Sequence, residues 1–429
     1  MSTNLFNPAD RRDYPVRWPM FRGKQLFKVI DDRSEEGTEE LLSVSHITGI
    51  TPRSQKNVTM FKSESLVGYK LCQIGDIAAN TMWTWQGAIG VSRYMGVVSP
   101  AYNVYRQKEN IYNPRFLDML LRERKLVDVY HSLSTGVRPS RLRLYPDVFL
   151  TIHFPVPSRD EQDHIVRFLD WKVSGVNKLI QQKRLQIMKL EELKHTIIYR
   201  ASTKNMDPEM KMKDSGIEWL GQIPAHWELG KAKRFVRITN GSDPKTVGVV
   251  PVYGSGKESF RTCGEFKVGP TVLLGRKGSI KNPAYIEGKY WNVDTAFDVA
   301  VKSKQYLLKY YYYLATCFDY DYYTTQTAIP SMTQTDYENM WLPVPDIAEQ
   351  ERIVTFLDSK CQIIDSTIAS ITVFIRSLID LKAHLISDVV TGKIDIRNIE
   401  IPEYEYVAEE ANSTDEDSDD EEDTEEQED

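Results

Sequence analysis

The residues of this chain best suited to chemistry are arginines, lysines and glutamine on short turns, and the chemistry they suit is contact with a polyanion. In "LLGRKGSIKNP" (Leu273 to Pro283) a strand runs into a glycine-flanked basic turn and out into a second extended segment. Arg276, Lys277 and Lys281 there can reach phosphates or guanine edges, and the glycines permit close backbone approach. Earlier in the chain, "TPRSQKN" carries Arg53 and Lys56, and "STGVRPSRLRLY" carries Arg138, Arg141 and Arg143. The later stretch "TTQTAIPSMTQ" is polar but uncharged, and its Gln326 has the donor and acceptor pair that reads adenine. Solvated turns use the same residue types, so none of these positions stands alone.

Catalytic patterns fail one after another. "GSGKES" at Gly254 resembles a phosphate loop, but Pro251 stands where glycine is required and Glu258 where a hydroxyl should follow the lysine. Asp243 with Glu265 and Lys267 can be forced into a D…ExK nuclease pattern, a match that chains of this length produce by chance. There is no G-x-S-x-G elbow and no tetrapeptide of the adenine-methylating kind. The seven histidines and four cysteines are scattered, without metal-ligand spacing. The expectation is no catalytic residue, no metal and no cofactor in this chain. Single cysteines fit reduced thiols in a reducing compartment. Trp83 and Trp85, either side of Thr84, read as strand neighbours pointing the same way into a core or sheet face.

What positions these turns is a repeat. "DEQDHIVRFLDWKVSGVNKLI" begins at Asp160, and "AEQERIVTFLDSKCQIIDSTI" begins at Ala348, 188 residues later. Each copy follows a "PVP" and a capping box, Ser158 with Glu161 and Asp346 with Glu349, so each starts a helix. An apolar stripe then recurs by threes, fours and sevens. It runs through Ile165, Leu169, Val173, Val176, Ile180, Ile187, Leu190 and Ile197, and through Ile353, Leu357, Cys361, Ile364, Ile368, Ile375, Leu378 and Leu385. That spacing is a coiled-coil seam, and it predicts two helices of roughly 38 residues. Fainter echoes lie upstream: "YPVRW" from Tyr14 and "IPAHW" from Ile223, "SPAYNVY" from Ser99 and "DTAFDVA" from Asp294.

Charge separates the folded part from a tail. The chain of 429 residues carries a net charge of -7, but from Glu400 onward it holds 17 acidic residues and no basic one, which leaves +10 on the first 399. A basic folded part fits a nucleic-acid partner, and so acidic a tail is expected to be disordered. No run of eighteen apolar residues and no signal peptide stand out, so the expectation is a cytoplasmic protein with no membrane partner. The domains read as a first module over 1–157, a helix over 158–200, a linker over 201–213, a second module over 214–345, a helix over 346–391 and the tail over 392–429.

Three stretches resemble the specificity subunit of Type I restriction–modification systems. "GDIAANTMWTWQGAIGVSRYMGVVSPAY" (Gly75 to Tyr102) is similar to one class of target recognition domain, and "DSGIEWLGQIPAHWE" (Asp214 to Glu228) to the opening of another. "LPVPDIAEQERIVTFLD" (Leu342 to Asp358) is similar to the start of that family's spacer helices. The resemblance covers nearly the whole chain except the tail. It implies two α/β target recognition domains joined by two long antiparallel coiled-coil helices, with an internal pseudo-two-fold repeat. It also implies that each domain reads half of a bipartite site on double-stranded DNA while the helices act as a ruler. The partners it implies are two modification (methyltransferase) subunits and the restriction (motor-nuclease) subunits, with no catalysis in the chain itself. The competing reading is a stand-alone DNA-binding protein or DNA enzyme.

Overall fold

Both long helices form, and both outrun the stripe that announces them. The first covers Arg159–Lys204, 46 residues, and the second Ile347–Val390, 44 residues. The computed structural model describes residues 14–55, 65–136, 142–204, 207, 209–324 and 330–408. The first helix continues beyond Arg200 because Ala201, Ser202 and Thr203 are all buried, and the two hydroxyls bond back to the carbonyls of Ile198 and Tyr199. The segment expected to be a linker therefore begins as helix, and near its other end Met212–Asp214 pairs antiparallel with Gln222–Pro224.

The helix starts follow their sequence signals in part. Ser158 Oγ accepts the Glu161 N–H at 3.3 Å, and Asp346 Oδ1 accepts the Glu349 N–H at 2.8 Å. Glu161 is drawn away to the Arg17 guanidinium at 2.7 Å. Glu349 accepts from Trp227 Nε1 at 2.9 Å and lies 3.0 Å from His226 Nε2. The echo between "YPVRW" and "IPAHW" thus has a physical cause, since each places a polar side chain against the third helical residue, where negative charge also suits the helix dipole.

The chain divides into two units, Met1–Gln182 with Ile375–Asp429 and Lys183–Phe374, so both boundaries fall inside the long helices. Each unit contains one α/β module and a segment of each helix. None of the sixteen stripe residues is exposed. In the first unit Ile165, Val166, Phe168 and Leu169 share a core with Val389 and Val390. In the second, Ile198 and Ala201 share a core with Ile353, Leu357 and Cys361. The segments there run antiparallel, as Lys194 with Asp365 at 2.6 Å and Lys183 over the Phe374 ring at 5.8 Å require. By length and composition the second long helix is apolar enough to cross a membrane, a test that core helices also pass. Its Ile353, Leu357, Cys361, Ile364 and Ile371 are buried in the second unit.

The two modules are built on sheets of the same topology. In the first, β1 (Phe27–Ile30), β2 (Ile77–Ala79), β3 (Ile89–Val91) and β4 (Asn103–Gln107) form an antiparallel sheet in the order β1-β4-β2-β3. The second module contains β5 (Val236–Asn240), β6 (Val250–Tyr253), β7 (Ser259–Cys263), β8 (Lys267–Val268), β9 (Thr271–Gly275), β10 (Ala284–Ile286), β11 (Lys289–Asn292) and β12 (Ala296–Val301). Its main sheet has the order β5-β12-β9-β10, the same topology as the first, and β7-β6-β11-β8 form a second sheet. In each module a further strand pair, Met20–Arg22 with His153–Pro155 or Glu228–Lys231 with Trp341–Val344, leads into a long helix. The tyrosine-rich stretch 310–323 packs inward, with Tyr310, Tyr311, Tyr313 and Tyr320 buried.

Two further expectations are corrected. Trp83 and Trp85 do not alternate on a strand. Thr84–Gln86 is a single 3-10 turn that buries Thr84 and leaves both indoles half-exposed, stacked at 6.1 Å. The turn forms because the Thr84 N–H and hydroxyl both bond to the Asn80 carbonyl, and Gly87 closes it at φ +96°. The tail expected to be disordered from 392 onward is ordered as far as 408. Ile396 is 3% exposed in the first core, Asn177 Nδ2 donates to the Val407 carbonyl at 3.0 Å, and the Val407 N–H donates to Ser174 Oγ at 3.1 Å. Residues 392–408 carry enough apolar surface to pack along the first long helix; residues 409–429 lie outside those described.

Candidate nucleic-acid interface

Each module is anchored to its helix by one buried glutamine. Gln162 Nε2 donates to the carbonyls of Pro157 (2.9 Å) and Ile111 (3.2 Å), and its Oε1 accepts the Asn113 N–H at 2.7 Å. Gln350 repeats the pattern with Pro345 (2.9 Å), Gln305 (2.9 Å) and the Leu307 N–H (2.8 Å). Both glutamines are fully buried, so every polar atom must be satisfied internally. A tyrosine completes each anchor: Tyr112 donates to the Pro155 carbonyl at 2.9 Å, and Tyr306 to that of Pro343 at 3.2 Å. Two turns further along each long helix, Asp170 pairs with Arg115 at 2.5 Å and Asp358 with Lys309 at 2.8 Å. The anchors hold the sheets, and the sheets present the turns.

In the second module the basic turn joins β9 to β10. All five residues of β9 are buried, and Ile280 turns inward at 1% exposure, which forces Arg276, Lys277 and Ser279 outward. Gly278 takes φ +76°, and a Cβ at Gly275 would meet the Ile280 Cα at 2.7 Å, so this turn needs its glycines. Backbone hydrogen bonds lace it to its neighbours. The Arg276 N–H reaches the Thr295 carbonyl (2.8 Å), the Gly278 N–H reaches Pro330 (3.0 Å), and the Met332 N–H reaches Arg276 (3.0 Å). Lys277 forms a bridge with Ser331. The tip of the β6–β7 hairpin adds Lys257, exposed and unremarked in the sequence except as a failed phosphate loop; a Cβ on Gly278 would lie 3.8 Å from Ser255 Oγ of that tip. Arg276, Lys277 and Lys257 thus stand on adjoining, well-supported turns. Lys281 is exposed but paired with Asp321 at 2.8 Å. Gln326 lies outside the described residues.

The first module places fewer of its expected residues. Arg53 opens a 3-10 turn, Arg53–Gln55, with its N–H on the Leu41 carbonyl at 2.9 Å. Arg143 exchanges backbone hydrogen bonds with Thr135 at 3.0 and 3.1 Å. Lys56, Arg138 and Arg141 lie outside the described residues. The turn topologically equivalent to the basic one, between β2 and β3, holds Trp83 and Trp85, and the Leu144 N–H reaches its Thr81 carbonyl at 3.4 Å. An aromatic, uncharged turn stands where the second module has arginine and lysine. Sequence reading missed this equivalence, although the strand-turn-strand pattern around both glycine-bounded turns was available to find it.

The nuclease-like trio is dispersed. Asp243 pairs with Arg261 at 2.6 Å, while Lys267 lies against Asn292 (2.8 Å) and Asp298 (3.1 Å). Glu265 binds the Thr246 hydroxyl and the backbone N–H groups of Lys245 and Thr246, and these bonds hold its carboxyl down at about 2. Such a carboxylate is a loop clasp, unsuited to acid–base work near neutral pH. Among the described residues no three His, Cys, Asp or Glu side chains gather as a metal site.

Residues 227–372 match the family described as the Type I restriction modification DNA specificity domain. They include the anchoring Gln350, the β9–β10 turn and the β6–β7 tip. Among solved structures, a chain from a study of complex assembly and conformational transition in the type I R-M system is similar over 89% of this chain and 99% of that one. It shares 15% identity with a TM-score of 0.65, a likeness of fold. The HsdS subunit from Thermoanaerobacter tengcongensis matches over 89% and 98% at 16% identity, with a TM-score of 0.47. The Type-I restriction-modification S subunit from M. genitalium matches over 90% and 99% at 12% identity, with a TM-score of 0.37. The shared fold rests on the first of the three.

Proposed function

We propose a working scheme from one premise: this chain is a DNA sequence-specificity subunit of the Type I restriction–modification kind, with its specificity domain at residues 227–372. Each module reads one short half-site on double-stranded DNA. In the second, Arg276 and Lys277 meet base edges or phosphates of the major groove, with Lys257 beside them and Lys281 available once released from Asp321. In the first, Arg53, Lys56, Arg138, Arg141 and Arg143 do the corresponding work. Gln326 contributes adenine readout to the second half-site.

The chain itself supplies no chemistry and needs no cofactor. Two modification subunits methylate adenines, restriction subunits join for cleavage, and the assembly works in the cytoplasm. The observation that carries this reading is the coincidence of the specificity-domain match with the residues that build the basic turn cluster.

Module exchange tests it. Replacing residues 214–345 with the corresponding module of another specificity subunit, in complex with the modification subunits, should change one half-site of the methylated sequence and leave the other intact. A chimaera that assembles and methylates an unchanged site, or changes both halves, would overturn the scheme.

A further inference from the structure

Phe260 is an apolar side chain in an unusual place. It lies on β7, an edge strand, and is 59% exposed. The pairing with β6 steps from Val252 opposite Arg261 to Tyr253 opposite Ser259, so Phe260 is the extra residue of a β-bulge. Bulges at sheet edges re-aim a side chain. Here the ring is aimed over the hairpin tip: a Cβ on Gly254 would lie 3.6 Å from Phe260 Cε1 and 3.2 Å from Thr295 Oγ1. Thr295 in turn holds the Arg276 N–H at 2.8 Å. The guanidinium of Arg261 lies over the ring, 5.2 Å from its centroid, and is itself paired with Asp243 at 2.6 Å.

An exposed apolar knob therefore stands beside the turns that carry Lys257, Arg276 and Lys277. The cations suit the phosphates and guanine edges of a duplex major groove, and the apolar group presented by a base pair in that groove is the thymine 5-methyl. Arg261 lies over the ring and the backbone at Gly254 lies near one edge, so sandwiching between two bases is disfavoured, whereas contact with a methyl needs only one free edge. We propose that Phe260 is a specificity-determining residue of the second module that reads a thymine methyl in its half-site. This rests on the reading of the chain as a DNA specificity subunit.

The test uses the complex with its modification subunits and duplexes bearing the mapped site. Thymines of each half-site are replaced one at a time by deoxyuridine, which deletes only the methyl, and affinity is measured by fluorescence anisotropy. One position in the second half-site should lose about fourfold, the worth of one buried methyl. In Phe260→Ala that thymine-to-uracil ratio should fall to about one while other positions keep theirs, and Phe260→Leu should retain part of it. Equal ratios in wild type and Phe260→Ala, or a second half-site with no methyl-sensitive position, would overturn the proposal while leaving the specificity reading intact. A wild-type complex that discriminates no bipartite site would overturn both.

Discussion

Two regions that recur in both halves of this molecule match to opposite degrees. The anchors at the starts of the long helices are alike nearly atom for atom: Gln162 and Gln350 make the same three hydrogen bonds, and Tyr112 and Tyr306 the same fourth. The turns at the corresponding edge of each sheet differ in kind, stacked indoles between β2 and β3 against arginine and lysine between β9 and β10. Burial explains the contrast. A buried amide has few ways to satisfy all its donors and acceptors, so its surroundings are fixed once the side chain is. An exposed turn needs only to close, and its side chains are free to suit whatever each module touches.

The comparison can be broken most forcefully in the cores. Leu169→Asp and Leu357→Asp each strand a carboxylate among apolar neighbours and should cost at least about 4 kcal/mol. Hydrogen exchange should show protection lost in the first unit for one and the second unit for the other; equal loss in both units from either change would mean that the units do not fold separately.

The anchors come next. Gln162→Ala and Gln350→Ala each leave buried backbone groups unpaired and should each cost about 2–3 kcal/mol. Denaturant unfolding followed by unit-specific protection would show the two values agreeing within about 1 kcal/mol if the anchors are equivalent. A large difference would make one of them redundant.

At the turns the expected effects are smaller and fall on binding. Arg276→Ala should weaken DNA affinity by about 1–3 kcal/mol if it reads a guanine, with relaxed discrimination at one position of the second half-site. Trp83→Ala, carrying no charge, should leave the salt dependence of binding unchanged, whereas Lys257→Ala should lower its slope by about one if that lysine meets a phosphate. Titrations at several salt concentrations separate these outcomes. The smallest effect belongs to the Arg17–Glu161 pair, whose arginine reaches solvent: Arg17→Ala should cost about 1 kcal/mol, measured by the same unfolding experiment.

Much of the helical framework was legible because its signals are local. The capping residues Ser158 and Asp346, the proline stops before them and the period of the stripe act within a few residues of themselves, and the structure uses each. The ends of the helices were less legible. Residues 201–204 stay helical because Ala201, Ser202 and Thr203 are buried in the second unit's core, a fact no local pattern records. The same holds for 392–408, where a few apolar residues among the charges, Ile396 chief among them, find a surface to pack on.

Of the candidate interface, the residue types were legible in advance: arginine and lysine on glycine-bounded turns, and a basic chain ahead of an acidic tail. The presence of two modules was legible too, because a repeat offset by 188 residues survives in the helices. Tertiary structure alone decided which turns are neighbours. Lys257 and Phe260 join Arg276 through the paths of two different sheets, and Lys281 is drawn off to Asp321. Periodicity reports which face of one element is buried, whereas a cluster gathered from several loops depends on how distant strands pair, and strand pairing is settled by the packing of the whole core.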